Sequence, residues 1–441
     1  MKRFALVAIG MVIGFVSALG LLPAAQGAND VGTYRQLNLF SDAFERTRIN
    51  YVRPVQDDEL ISAAIQGMVS NLDPHSSYMD RKGYSSMQTE TRGEFGGIGI
   101  EIQMEDGLIK VVTPIDDTPA AKAGIKPADF IAAINGTAVQ GMSQDEAVEK
   151  IKGPVGSKVT ITILRKEEKK PFDVTLTRAV VKVQTARFRR EGDVGYIRLT
   201  QFTEQTAPGL ENAVRELKKQ IGPGIKGYVL DLRNNPGGLL DQAIQVSDDM
   251  LNRGEVVSTR GRHAEDTQRY DAKAGDITDG KPIIVLVNAG SASASEIVAG
   301  ALQDHKRATV LGMTSFGKGS VQTILPLGEG GGALRLTTAR YFTPSGHSIQ
   351  AQGIIPDIQV AQGDEDDSPR IFRNSEADLK GHLEGEATPA KKANAPIIRA
   401  AAGKKYDDFQ LAYALDLLNG KVTVAVAKPT DAAATAAPKA N

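Results

Sequence analysis

The sequence predicts an α/β core built on a mostly parallel sheet with crossover helices, interrupted by a small barrel-like β module and preceded by a helical segment. Three observations carry this expectation. Beyond Val194, apolar runs alternate with helical stretches, the pattern of βαβ units. Between Gly93 and Val180, glycines frame short alternating strands around one well-capped helix. Ahead of both, apolar residues recur at helical spacing rather than in alternation.

A chain of 441 residues is long enough for more than one domain. Its apolar share of 41% and charged share of 24% are those of a globular protein. Lys+Arg 52 against Asp+Glu 53 leaves a net charge of -1, which gives no electrostatic case for nucleic acid or an anionic membrane as partner. Cysteine is absent, which excludes thiol nucleophiles, thiolate metal sites, disulfides and a lipidated cysteine anchor.

The first 27 residues read as an export signal. Met1-Lys2-Arg3 is basic, Phe4 to Leu22 is apolar, and Ala25-Gln26-Gly27 offers small residues for cleavage after Gly27. The alternative is an uncleaved anchor, since the apolar run approaches the roughly 20 residues that span a bilayer. Either way the remainder is expected outside the cytoplasm, in the periplasm or on the outer face of the cell membrane.

Residues 28–92 form the helical region. Leu37, Phe40 and Phe44, then Ile61, Ala64, Ile65, Met68 and Val69, mark two amphipathic helices. Asp57-Asp58-Glu59 is an acidic helix start, and Asn71-Leu-Asp-Pro-His75 stops the second helix at its proline. Two such helices need a surface to pack on, which points to the body of the chain or a second copy, hence a homo-oligomer.

Residues 93–180 form the β module. Its strands are Gly97–Ile102, Leu108–Val112, Phe130–Ile134 and Val159–Leu164; Asn135-Gly136 is a hairpin turn, and Ser143 with Glu146 makes a capping box for a helix to Ile151. The loop Gly96-Gly97-Ile98-Gly99-Ile100 can turn successive N–H groups toward one point and capture a terminal carboxylate, with a peptide then adding as a strand. This set resembles a PDZ domain of the bacterial protease type.

Residues 181–362 form the core, with strands at Gly195–Leu199, Gly227–Leu232, Ile283–Val287 and Thr309–Leu311 and helices at Ala207–Gln220, Leu239–Asn252 and Glu296–His305. Residues 363–441 read as linkers, one helix at Tyr406–Leu418, and a disordered tail from Lys428.

The chemistry is expected where the run Pro282 to Asn288 turns into a helix through Gly290-Ser-Ala-Ser-Ala-Ser295. A serine at a helix N-terminus can attack a carbonyl while unpaired N–H groups hold the oxyanion. Ser291, Ser293 and Ser295 are equivalent by spacing. Asp231-Leu-Arg-Asn-Asn-Pro-Gly-Gly238 ends another strand, and an N–H of Gly237 or Gly238 could face the serine turn. Gly312-Met-Thr-Ser-Phe-Gly-Lys-Gly-Ser320 nearly matches a phosphate-cradling loop, but Gly319 stands where the hydroxyl belongs and a strand, not a helix, follows. Desolvation in such a turn would instead leave Lys318 neutral and able to accept a serine proton. Of the five histidines only His347, in a loop, is a candidate triad base, and no pair of ligands is spaced for a metal.

Taken in order, Asn71–Tyr78, the PDZ set, Asp231–Gly238, Gly290–Glu296, Phe316–Gln322 and Tyr341–Gly346 resemble the carboxyl-terminal processing peptidases, serine proteases with a Ser–Lys dyad and an inserted PDZ domain. The resemblance implies Ser293 as nucleophile, Lys318 as general base and Gln322 as a residue that positions the lysine. It implies an oxyanion hole from Ala294 N–H with Gly237 or Gly238, peptide binding at Gly97, Ile98, Gly99 and Ile100, and no metal or cofactor. The expected partners are protein substrates with accessible C-termini. Two other readings are an inactive PDZ scaffold and a histidine-dependent esterase or amidase using His347.

Overall fold

A computed structural model describes residues 27–105, 107–115, 117–328, 330–363, 375–386, 396–401 and 404–422. The expected export segment to Gln26, the tail beyond 422 and most of both linkers lie outside these residues. Among the described residues no helix is long and apolar enough to cross a membrane.

The N-terminal unit runs to Met68 and holds α1 (Gly27–Asn50) and nearly all of α2 (Asp57–Ser70). The acidic triplet 57–59 occupies the first turn of α2, where it complements the helix dipole. Leu37, Phe40 and Met68 stay exposed in the single chain.

The second unit begins with a short strand, β1 (Ser77–Met79), and α3 (Arg81–Arg92). Asp80 caps α3 by accepting from Gly83 N–H at 2.7 Å. The β module follows. Strand β2 (Glu94–Gly97) leads to β3 (Ile100–Glu105), β4 (Leu108–Pro114), the single turn α4 (Pro119–Lys122), β5 (Phe130–Ile134) and β6 (Thr137–Ala138). Helix α5 (Gln144–Ile151), β7 (Lys158–Leu164), β8 (Phe172–Thr177) and β9 (Ala179–Lys182) complete it. The antiparallel sheet runs β3-β4-β5-β7-β8, with β6 hairpinned to β5 and β2 paired to β9. Asn135 and Gly136 both take positive φ, 49° and 76°, as a type I′ hairpin requires. Both bonds of the Ser143/Glu146 capping box form. The β2–β9 ladder joins the first strand of the module to its last, so the module is inserted as a closed unit.

The core sheet has the order β10 (Ala186–Glu191), β11 (Val194–Leu199), β12 (Gly227–Asp231), β15 (Ile283–Val287), β16 (Ala308–Gly312) and β19 (Ile358–Gln359). Only the β10–β11 pairing is antiparallel. Alternate residues divide between two faces. Leu230, Val285 and Val287 pack with helices α6 (Thr206–Ile221), α7 (Leu240–Asp248) and α8 (Ala294–Asp304). Val229, Ile284 and Leu286 pack with α9 (Phe409–Leu418). A sheet covered on both faces explains why these strands read as continuous apolar runs. Helix α9 is therefore part of the core, not an appendage.

A second sheet was not foreseen. It joins β1, β18 (Ala333–Phe342), β13 (Gly254–Arg260) and β14 (Gln268–Ala272), with β17 (Ser320–Pro326) also on β18. Its pairings are antiparallel and many of its residues are half exposed. Thr and Arg therefore interleave with apolar residues and blur the periodicity.

Candidate active site

Strand β15 ends at Val287 and α8 begins at Ala294, so residues 288–293 make a tight turn at the carboxyl end of the sheet, where α/β sheets place their sites. Ser293 closes the turn with φ 55° and ψ -112°. For a residue with a Cβ this conformation costs on the order of 1–3 kcal/mol. What holds it is Glu296, three residues on and fully buried. Its Oε2 accepts from Ser293 N–H at 2.8 Å and from Lys318 N–H at 2.9 Å. Its Oε1 accepts from Ser315 Oγ–H at 2.6 Å and Gly317 N–H at 2.7 Å. One carboxyl group thus ties the serine turn to the lysine loop. Two main-chain nitrogens that share one acceptor oxygen lie within about two hydrogen-bond lengths of each other. Burial pushes the Glu296 carboxyl up to about 7 against these four donors.

The three serines, equivalent in the sequence, differ in the structure. Ser291 Oγ–H donates to Leu232 O at 2.8 Å and its oxygen accepts from Asn288 N–H at 3.0 Å. Ser295 Oγ–H donates to Asn235 O at 2.9 Å. Both are fully buried. Ser293 instead lines a cavity of about 880 Å³, together with Gly237, Gly238, Lys318, Gln322 and Arg335. Its hydroxyl makes no capping bond to α8, because Glu296 N–H donates to the Ser293 carbonyl oxygen.

Lys318 lies in the loop between β16 and β17. Burial pushes its pKa below the ordinary lysine value, and the Arg335 guanidinium adds to that push. Glu376, Glu296 and Asp73 pull the other way without reversing the direction. Gln322 lines the cavity, but its amide nitrogen donates to Ser320 Oγ at 3.0 Å and Thr337 Oγ1 at 3.3 Å. No hydrogen bond joins it to Lys318 among the described residues.

Of the oxyanion candidates, the N–H groups of Ala294 and Gly238 have no acceptor among the described residues. Gly237 N–H donates to Asn235 Oδ1 at 2.9 Å. Gly237 matters for another reason. Its φ is 97°, and a Cβ there would stand 2.7 Å from Ala292 O, 2.8 Å from Ser293 Cβ and 2.9 Å from Ala294 N. The 232–238 loop can press against the serine turn only because this residue has no side chain.

The peptide-binding candidates form a separate place; none of Gly97, Ile98, Gly99 and Ile100 lines the serine cavity. Gly99 takes φ 77°. Ile98 O accepts from Ala120 N–H at 2.9 Å and Gly99 O from Ile115 N–H at 3.0 Å. The N–H groups of Ile98 and Gly99 have no backbone acceptor among the described residues. Strand β3, which Ile100 opens, is the edge of its sheet. None of the five histidines lines the serine cavity, His347 included.

Sequence reasoning missed four charged residues around Lys318. Glu296 carried a signal, since Ser293-Ala-Ser-Glu296 is a capping-box sequence. Asp73 lies within the Asn71–Tyr78 motif and accepts from Ser76 Oγ–H at 2.5 Å and Thr337 Oγ1–H at 3.0 Å. Arg335 is hidden in the second sheet. Glu376 carried no signal, yet it is buried and accepts from His75 Nε2 at 2.8 Å and Gln350 Nε2 at 3.0 Å.

Residues 193–360 match the family model of peptidase family S41, residues 96–176 that of a PDZ domain, and residues 22–83 that of the activating protease CtpB N-terminal domain. A carboxy-terminal-processing protease of Bartonella bacilliformis is 52% identical over 430 residues, 96% of this chain and 98% of that protein. A Staphylococcus saprophyticus protein named "Probable CtpA-like serine protease" is 37% identical over 315 residues, 71% of this chain but 63% of its own length. A solved photosystem II D1 C-terminal processing protease is 31% identical, covers 72% of this chain and 85% of its own, and has a TM-score of 0.42. Identity of 52%, sustained over nearly the whole of two chains, means that this protein belongs to the serine peptidases of family S41 and carries a PDZ domain ahead of its catalytic core.

Proposed function

We propose that this chain is an exported endopeptidase that binds protein C-termini at its PDZ module and cleaves near them with a Ser293–Lys318 dyad. The observation that carries the reading is the shared Glu296 carboxyl, which fixes the Ser293 turn and the Lys318 loop against one cavity. Neutral Lys318, favoured by its burial, takes the Ser293 proton as the oxygen attacks the peptide carbonyl. Ala294 N–H and Gly238 N–H are the donors free to hold the oxyanion; Gly237 supports that loop by contact. Lys318 then protonates the leaving amine and activates the water that releases the acyl group. Gln322 borders the cavity and would orient the lysine once substrate fills it. At the PDZ module, the unbonded N–H groups of Ile98 and Gly99 suit a carboxylate, and the edge of β3 suits an added peptide strand. Export through the first 27 residues and self-association through the N-terminal helices belong to the same proposal.

The test is cleavage of an unstructured protein with a free apolar C-terminus. Ser293→Ala and Lys318→Ala should each lose about 10⁴-fold or more in kcat, while His347→Ala retains activity. Full activity of Lys318→Ala overturns the dyad. Loss only in His347→Ala supports the histidine hydrolase, and an inert wild type supports the scaffold.

A further inference from the structure

The 232–238 loop is held on both sides. Toward the serine turn it accepts from Ser291 and Ser295 hydroxyls, and Asn235 O also accepts from Ala292 N–H at 3.0 Å. On the far side stands Arg233, 9% exposed. Arg233 Nε donates to Asp231 Oδ1 at 2.9 Å and Nη2 to Asp231 Oδ2 at 2.6 Å. Its other edge faces the segment that opens α9. Nη1 donates to Asp408 Oδ1 at 2.9 Å and to Gln410 Oε1 at 3.0 Å, and Nη2 to Asp408 Oδ2 at 2.7 Å. Gln410 Nε2 in turn donates to Val360 O at 2.7 Å. Asp231 alone would balance the guanidinium charge. What Asp408 adds is a second bidentate contact, which fixes the plane of the group and so the direction in which the chain leaves Arg233.

We infer that Asp408 is a positioning residue for the reaction: through Arg233 it sets the Asn234–Gly238 loop at the distance from Ser293 that an oxyanion requires. The inference rests on the peptidase reading for its kinetic consequence but not for its structural one. Displacements of about 1 Å remote from the reacting atoms can cost about a hundredfold in rate. Asp408 also caps α9 by accepting from Leu411 N–H at 2.9 Å, so the variant must spare the cap. Asn is as good a cap as Asp but cannot accept from both guanidinium nitrogens.

The experiment uses the full chain and the same unstructured substrate. Asp408→Asn should lower kcat by about ten- to a hundredfold with KM changed less than about twofold. Its hydrogen-bonded amides at Asn234, Asn235, Gly237 and Leu239 should exchange hydrogen faster than in wild type. Leu411→Ala, on the buried face of α9 and clear of Arg233, should lower the unfolding temperature and leave kcat of the folded enzyme intact. Unchanged loop exchange in Asp408→Asn overturns the inference. So does a kcat loss in Leu411→Ala that matches that of Asp408→Asn, since it would reduce Asp408 to a helix anchor. Should the wild type cleave nothing, the peptidase reading fails, while loop exchange still decides the role of Asp408.

Discussion

At the scale of the residue, the site turns on the charges set around Ser293 and Lys318. Glu296 uses both oxygens, each for two donors. An amide has one such oxygen, so its NH₂ would face either the Ser293 and Lys318 N–H groups or the Gly317 N–H, none of which can accept. Glu296→Gln should therefore lose about 2–3 kcal/mol of stability, measured by denaturant unfolding, and about a hundredfold in kcat as serine and lysine lose a common frame. A variant with wild-type turnover would show that the two halves are held some other way. Ser295→Ala removes one hydrogen bond and should cost about 1 kcal/mol, while Ser291→Ala removes two and should cost about twice that, neither abolishing turnover. The pH dependence follows from Lys318. As the proposed general base it would work when neutral, so kcat/KM should rise with pH through a limb below the ordinary lysine value of 10.5. Arg335 disfavours the ammonium form; Arg335→Gln removes that repulsion, raises the lysine pKa and moves the limb to higher pH. A limb that stays in place, or moves down, contradicts the assignment of Lys318 as base.

Among the elements, what the sequence made legible depends on how each is buried. Strands β5 and β15 could be read to the residue, because β5 ends in the Asn135-Gly136 turn and β15 is apolar throughout. Helices α6 and α8 were placed within two residues at each end. The second sheet escaped, since a half-exposed antiparallel face tolerates Arg335, Thr337 and Arg340 within one strand. Yet that sheet carries Gln322 and Arg335 to the cavity. The serine choice was open in the sequence because a period of two residues says nothing about which hydroxyl finds a carbonyl. In the PDZ module the same distinction between pattern and contact gives a prediction. Gly99 holds φ 77°, and a Cβ there would fall 2.3 Å from Thr118 Cβ. Gly99→Val should shift the loop and weaken binding of a labelled peptide with a free C-terminus by about tenfold or more, about 1.4 kcal/mol. Anisotropy titration reads this, with the C-terminally amidated peptide as control. If wild type binds both peptides alike, the carboxylate is not what the loop recognises.

Across the whole of the second unit, two stretches beyond the expected core boundary at 362, residues 375–386 and the start of the expected C-terminal helix, are built into the site from two directions. Glu376 N–H donates to Phe316 O at 3.0 Å, and Gln350, which donates to Glu376, accepts from Gly319 N–H at 3.1 Å. Those bonds brace the lysine loop from the 375–386 stretch. Asp408 and Gln410 brace the Arg233 loop from the start of α9. Glu376, Asp408 and Gln410 are polar, so hydropathy could not mark them; the sequence showed only a helix at Tyr406–Leu418, whose buried face holds Phe409, Leu411 and Ala414. That face covers Val194, Val229, Ile284, Leu286 and Leu311 of the core sheet. A chain ending at Lys405 would uncover them while keeping Ser293, Lys318 and the PDZ module. Burying one such side chain contributes about 1.5–3 kcal/mol, and a domain has only about 5–15 kcal/mol in all. The truncated chain should therefore lose cooperative unfolding of the core and bind a hydrophobic dye, while melting of the PDZ module, closed by its own β2–β9 ladder, persists as a separate transition. Calorimetry of both chains reads the outcome. A single transition at the wild-type temperature would mean that the core sheet is complete without α9, and that its bonds to Arg233 are all it supplies.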